Sequence, residues 1–177
     1  MSDESEDFDQ AWQSGLERPY GKYALWTGFL AFAGVGLALV LQHMSGMEPC
    51  AWCTFQRLLF IVLGALAIAS WLMAGTPVIA RVLSALAALT GIGGIAAALY
   101  QHFVAAPSGS SALTFADQVI NGLRLNEIMP WLFEATAMCD EANVPMLGVP
   151  FAFWSAMLFL ILTLVLLIVT FSKGAMR

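Results

Sequence analysis

Long apolar runs, broken by short polar interruptions, organise this chain. A helix needs about 20 mostly apolar residues to cross a bilayer, and four runs meet that length: 23–41, 55–74, 78–104 and 149–171. The second qualifies if Arg57 sits at its end rather than its middle. The third contains GIGGIAAAL, whose small residues let helix backbones approach closely in lipid. The fourth is the most continuous. An acidic, polar segment, residues 1–22, precedes the first run and no small-residue cleavage site follows it, so that run reads as a span and not as a removable signal. The pattern predicts one all-α membrane domain, a four-transmembrane-helix bundle with loops at 42–54 and 105–148. Met129, Pro130, Trp131, Leu132 and Phe133 are expected to form a short amphipathic helix on the outer surface of the second loop.

Composition agrees with the pattern. The 177 residues are 60% hydrophobic and 11% charged, too apolar for a soluble domain of this size. The acidic run SDESEDFD reads as a solvated tail, and no nucleic-acid partner is expected. Basic residues set the orientation, because cytoplasmic flanks collect Lys and Arg. Arg18, Lys22, Arg81, Lys173 and Arg177 lie on one side of the predicted bundle, and only Arg57 and Arg124 on the other. Both termini and the 75–81 turn are therefore expected in the cytoplasm. All three cysteines, Cys50, Cys53 and Cys139, fall on the outer side, where in a bacterium disulfides form and persist.

The stretch EPCAWCTFQR carries the chemistry. A lone CxxC also suits half of a zinc site or a structural staple. A closed zinc site needs four ligands, and the additional candidates are only Cys139, His43 and His102. A staple enclosing two residues restrains little of the unfolded chain. Redox use is the favoured reading. If span two begins near Thr54, Cys53 lies at its N-terminal end, where unpaired N–H groups and the helix dipole favour a thiolate. Arg57, four residues on, projects from the same face. A cation entering the apolar layer is a functional candidate, the plainer alternative being a side chain that reaches out to headgroups.

With these residues assembled, the chain resembles the DsbB family of bacterial disulfide bond formation proteins, part of the DsbA, DsbB and quinone route of periplasmic oxidation. The resemblance rests on LQHMSGMEPCAWCTFQR, on MPWLFEATAMCDEA in the second outer loop, on LGVPFAFWS leading into the fourth span, and on the four-span layout. It implies a bacterial inner-membrane enzyme that reoxidises a periplasmic thioredoxin-fold, DsbA-like partner and passes electrons to ubiquinone or menaquinone of the membrane pool. Cys50 and Cys53 match the family's first redox pair, with Cys53 nearest the quinone. Arg57 matches the arginine that supports quinone binding, and His102 is compared with a quinone-site histidine. Cys139 matches the loop cysteine that relays electrons by attacking the position of Cys50.

One position departs from the family. Its other loop cysteine aligns with Ser111, or less well with Ala112, so the loop disulfide that receives electrons from the soluble partner cannot form. That implies a trapped or inactive variant in which Cys139 is free to bridge to Cys50. Two other readings stand beside this one: a thiol oxidoreductase of the vitamin K epoxide reductase type, in which the CxxC is expected late in the chain, and a non-enzymatic scaffold or metal-binding membrane protein. Trp26, Trp52, Trp71, Trp131 and Trp154 are expected as interfacial anchors, and His43 as an interfacial residue. Asp117, Glu134, Asp140 and Glu141 are expected to solvate the loop, and the acids beside Cys139 to raise its thiol pKa.

Overall fold

The four apolar runs fold as four long helices. A computed structural model describes residues 21–108, 114–143 and 145–172, and in it these helices are α1 (Gly21–Ser45), α2 (Ala51–Leu72), α3 (Pro77–Tyr100) and α8 (Phe151–Phe171). All four are long and apolar enough to cross a membrane. A π-helical turn, Gln101–Ala105, continues α3. The described residues of the second loop then form four short helices, α4 (Phe115–Gly122), α5 (Leu125–Ile128), α6 (Pro130–Phe133) and α7 (Cys139–Ala142), followed by a minimal hairpin of β1 (Pro145–Met146) and β2 (Val149–Pro150). The chain is an all-α, multi-pass membrane protein. The N-terminal acidic run, Arg18, Ser111, Ala112, Lys173 and Arg177 lie outside the described residues.

The helices form a square ring: α1 packs on α2 and α8, and α3 packs on the same two. Small residues make these approaches possible. A methyl group on Gly28 of α1 would stand 3.0 Å from the Gly64 carbonyl oxygen of α2. On α3, Gly91 and Gly94 of the GIGGIAAAL stretch receive Thr163 and Phe159 from α8, whereas Gly93 meets nothing. Phe159 in turn stacks on Phe60 of α2, ring centroids 3.7 Å apart and planes 6° from parallel. Leu63, Leu162 and Leu166 complete the buried centre. Nearer the other end, Ser84 donates to the Leu166 carbonyl and accepts from Thr170, a polar link inside an apolar layer.

Several boundaries differ from the pattern-based ones. Helix α1 runs on to Ser45, and α2 starts at Ala51, with Cys50 as its extended N-cap residue (φ −88°, ψ 173°). Hydropathy places these boundaries by polarity, but a helix begins where backbone hydrogen bonding begins, here with the Thr54 N–H on the Cys50 carbonyl at 3.0 Å. Val149 and Pro150 belong to the hairpin rather than to α8. The segment 129–133 supplies α6, but it does not simply lie on the surface. Leu132 and Phe133 insert into the main core while Met129 and Trp131 stay exposed.

Two tryptophans depart from the anchor reading. Trp52 is buried, its ring 4.7 Å from Tyr100 and edge-on to Phe55, because position 52 points between α2 and the end of α3. Trp71 is buried against Ala24 and Val169. Trp26 and Trp131 are exposed, and Trp154 donates to the Met146 carbonyl of the hairpin.

Candidate redox site and its cavity

The CxxC sits where α2 begins. Cys50 is the N-cap and Cys53 the third helical residue, so the expectation that Cys53 itself marks the helix start is corrected by one turn. Cys53 thereby stays within the first turn, where backbone N–H groups are unpaired and the positive end of the dipole favours a thiolate. The Cys50 and Cys53 Sγ atoms are 3.2 Å apart.

The second loop is fastened to this turn through the backbone. The Pro49 carbonyl accepts from Thr136 N and Ala137 N at 3.0 and 3.2 Å. Two residues later Cys139 opens α7, where it is buried with Cys50, Trp52, Ala116 and Ala142. Hydrogen bonding to Cys139, then to Cys53, together with burial, pushes the Cys50 thiol well above the ordinary thiol range. The same bond, received from Cys50, holds Cys139 below that range, although burial, the Cys53 charge and Asp117 act in the opposite sense. The upward shift expected from neighbouring acids therefore does not prevail, since one hydrogen bond at contact outweighs charges set further off. Asp117 and Glu141 do more than solvate. The Asp117 carboxylate accepts from Thr114 N and closes a capping box on α4, and Glu141 accepts from Met138 N at the start of α7.

Helix α3 supplies a group that sequence reasoning missed. At the π-turn one extra residue is accommodated, with Ala106 N donating to the Gln101 carbonyl, and Gln101 is turned into the bundle. Its carboxamide nitrogen donates to Cys53 Sγ at 3.2 Å and approaches Cys50 Sγ at 3.5 Å, and its oxygen accepts from the Gln56 amide. The available signal was two glutamines inside apolar spans, at 56 and 101. His102, the next residue, points elsewhere. Its Nδ1 pairs with the Asn143 amide nitrogen at 3.0 Å and its ring packs on Phe103 and Phe153.

Arg57 turns inward rather than out to headgroups. Only 6% of its surface is exposed, and Nη1 donates to the Leu132 carbonyl of α6 at 3.0 Å. Among the described residues it has no carboxylate partner within ion-pair distance. Arg57 and Cys53 both line a partly open cavity of about 330 Å³ between α1, the first loop, α2 and α8, with Ala142 of α7 and Met146 of the hairpin at its edge. Its walls are largely apolar, with Leu37, Leu41, Phe60, Trp154, Leu158 and Ile161 among them, and its polar groups include Gln56 and Glu48. The cavity thus sets a cysteine sulfur and a cation among largely apolar walls, a lining suited to an apolar molecule with a polar head. The structure therefore brings together Cys50, Cys53, Cys139 and Arg57, but His102 is not part of the cavity lining. Ser111 lies outside the described residues. Among the described residues, no three His, Cys, Asp or Glu side chains are grouped so as to hold a metal ion.

Comparison with known proteins agrees with this arrangement. The sequence pattern of the family described as disulfide bond formation protein DsbB matches residues 21–169. A disulfide bond formation protein B of Ralstonia nicotianae is 32% identical over 140 residues, covering 78% of this chain and 86% of the relative. Its counterpart in Cupriavidus necator is 34% identical over 145 residues, 81% and 88% of the two chains. Disulfide bond formation protein B 1 of Pseudomonas fluorescens is 30% identical over 166 residues, 92% and 95% of the two. Four membrane-crossing helices, paired cysteines at a helix start and a match over most of its length together mean that this chain belongs to the DsbB family of disulfide bond formation proteins, membrane oxidoreductases that make disulfides.

Proposed function

We propose that this protein is a quinone-dependent thiol oxidase of the bacterial inner membrane, with both termini cytoplasmic and its cysteine loops periplasmic. It takes electrons from a reduced thioredoxin-fold, DsbA-like dithiol and delivers them to ubiquinone or menaquinone. The observation that carries this reading is that Cys53 and the Arg57 guanidinium line one apolar cavity. A quinone fits that donor set: its carbonyl oxygens accept hydrogen bonds from a buried cation, and its isoprenoid tail suits walls of Leu, Ile and aromatic carbon. When bound, the quinone supplies a two-electron acceptor. The protein's own part is to hold Cys53 at the cavity wall, orient the head with Arg57, and present Cys139 to Cys50 through the Pro49 clamp. His102 lies off the cavity and is given no part in quinone binding.

Ser111 stands where the relatives' resemblance implies a cysteine, so in this reading the chain is stalled at exchange with the soluble partner while its quinone end is intact. The test is quinone reduction by a reduced DsbA-like protein, comparing the chain with Ser111→Cys in one detergent. Turnover only in the Cys variant is expected. Absence of turnover in Ser111→Cys with several quinones and a competent partner would refute the quinone oxidase reading.

A further inference from the structure

Resting on the reading of Cys50 and Cys53 as the redox pair, a second assignment concerns Gln101. Gln101 is almost fully buried, at 1% exposure, and so is Gln56, at 3%. Amides placed in an apolar bundle are costly unless their hydrogen bonds are met. Here the two side chains satisfy one another in a single sense, the Gln56 N–H₂ on the Gln101 oxygen, which leaves the Gln101 N–H₂ facing sulfur. The π-turn is what aims it there, and such turns recur at functional positions in helices. The contact favours Cys53 over Cys50, 3.2 Å against 3.5 Å.

We propose that Gln101 is a catalytic hydrogen-bond donor to Cys53, oriented by Gln56 as a positioning residue, and that it stabilises the Cys53 thiolate that leaves when Cys139 attacks Cys50. In that step the Cys139 thiolate, its proton already lost to water, bonds to Cys50 Sγ. The Cys50–Cys53 bond breaks and its electron pair leaves on Cys53 as thiolate. One disulfide is consumed and one formed, so no external oxidant enters. The donor strengthens as charge develops, because hydrogen bonds to ionised acceptors are roughly twice as strong as neutral ones.

This chain isolates the step, since three cysteines holding one disulfide interconvert between Cys50–Cys53 with free Cys139 and Cys50–Cys139 with free Cys53. Singly oxidised protein, stripped of quinone in detergent, is quenched in acid, alkylated with N-ethylmaleimide in denaturant, and the free cysteine identified by peptide mass spectrometry. Gln101→Met is expected to lower the ratio of free Cys53 to free Cys139 about tenfold, the lower end for a hydrogen bond to a charged group. Gln101→Glu, of the same shape but with an acceptor facing the sulfur, lowers it at least as far, and Gln56→Met lowers it less. Packing alone does not distinguish Gln from Glu, so the second variant keeps the test sharp if Gln101→Met folds poorly. Normal disulfides with a ratio within about twofold of the parent in both Gln101 variants would sink this assignment alone. A parent in which Cys50 enters neither disulfide would sink the redox-pair reading, and the assignment with it.

Discussion

Substituting Gly94 by alanine tests the packing that holds the cavity wall in place. A Cβ at position 94 would meet three atoms of the Phe159 ring at 2.4 to 2.5 Å. Ordinary carbon–carbon contact lies at about 3.5 to 4.0 Å, so the ring has to retreat by about 1 Å. It has nowhere to go, because Phe60 stacks behind it with centroids 3.7 Å away and both residues are buried. Either α3 and α8 separate or both rings leave their positions. Overpacking of this kind costs about 1–3 kcal/mol, and the constrained ring puts the expected value in the upper half of that range. Gly93, one residue earlier, is the internal control, since a Cβ there meets nothing within 4 Å. Gly93→Ala is expected to be neutral or to stabilise by up to about 1 kcal/mol through helix propensity. Reversible unfolding in mixed micelles, followed by helical circular dichroism, measures both. A Phe159→Leu change made together with Gly94→Ala should recover part of the loss, because the two positions are in contact. A Gly94→Ala value within about 0.5 kcal/mol of that for Gly93→Ala would rule out the tight α3–α8 contact at Phe159.

Two further outcomes follow from the site. Arg57→Met removes the cavity's cation and its bond to the Leu132 carbonyl; in the Ser111→Cys background the KM for quinone is expected to rise ten- to a hundredfold, the equivalent of about 1.5–3 kcal/mol for a charged hydrogen bond, and unchanged quinone kinetics would contradict a role for Arg57 there. In the fully reduced protein, Cys139 ionises before Cys50, because the hydrogen bond between them lowers one and raises the other. Stabilisation of the Cys139 thiolate is then present above the ordinary thiol pKa and is lost as pH falls through its depressed value. Iodoacetamide labelling across pH, read by mass spectrometry, should show Cys139 rising at lower pH than Cys50, and coincident profiles would exclude that pairing.

The four long apolar helices and the grouping of the CxxC with Arg57 were legible in the sequence alone, each for a local reason. Spanning a bilayer depends on the summed apolarity of about 20 consecutive residues, and the CxxC with Arg57 sits within two turns of one helix. Inward and outward faces were not determined that way. Lipid is as apolar as leucine, so a core-facing Trp71 or Trp52 and a lipid-facing Trp26 carry the same signal in sequence. The contacts that make the site join residues far apart in the chain: Pro49 with Thr136, Gln101 with Cys53, and Arg57 with the Leu132 carbonyl. They depend on which face each helix turns to its neighbour and on a π-turn that redirects Gln101. No periodicity encodes them, and only the packed bundle decides them.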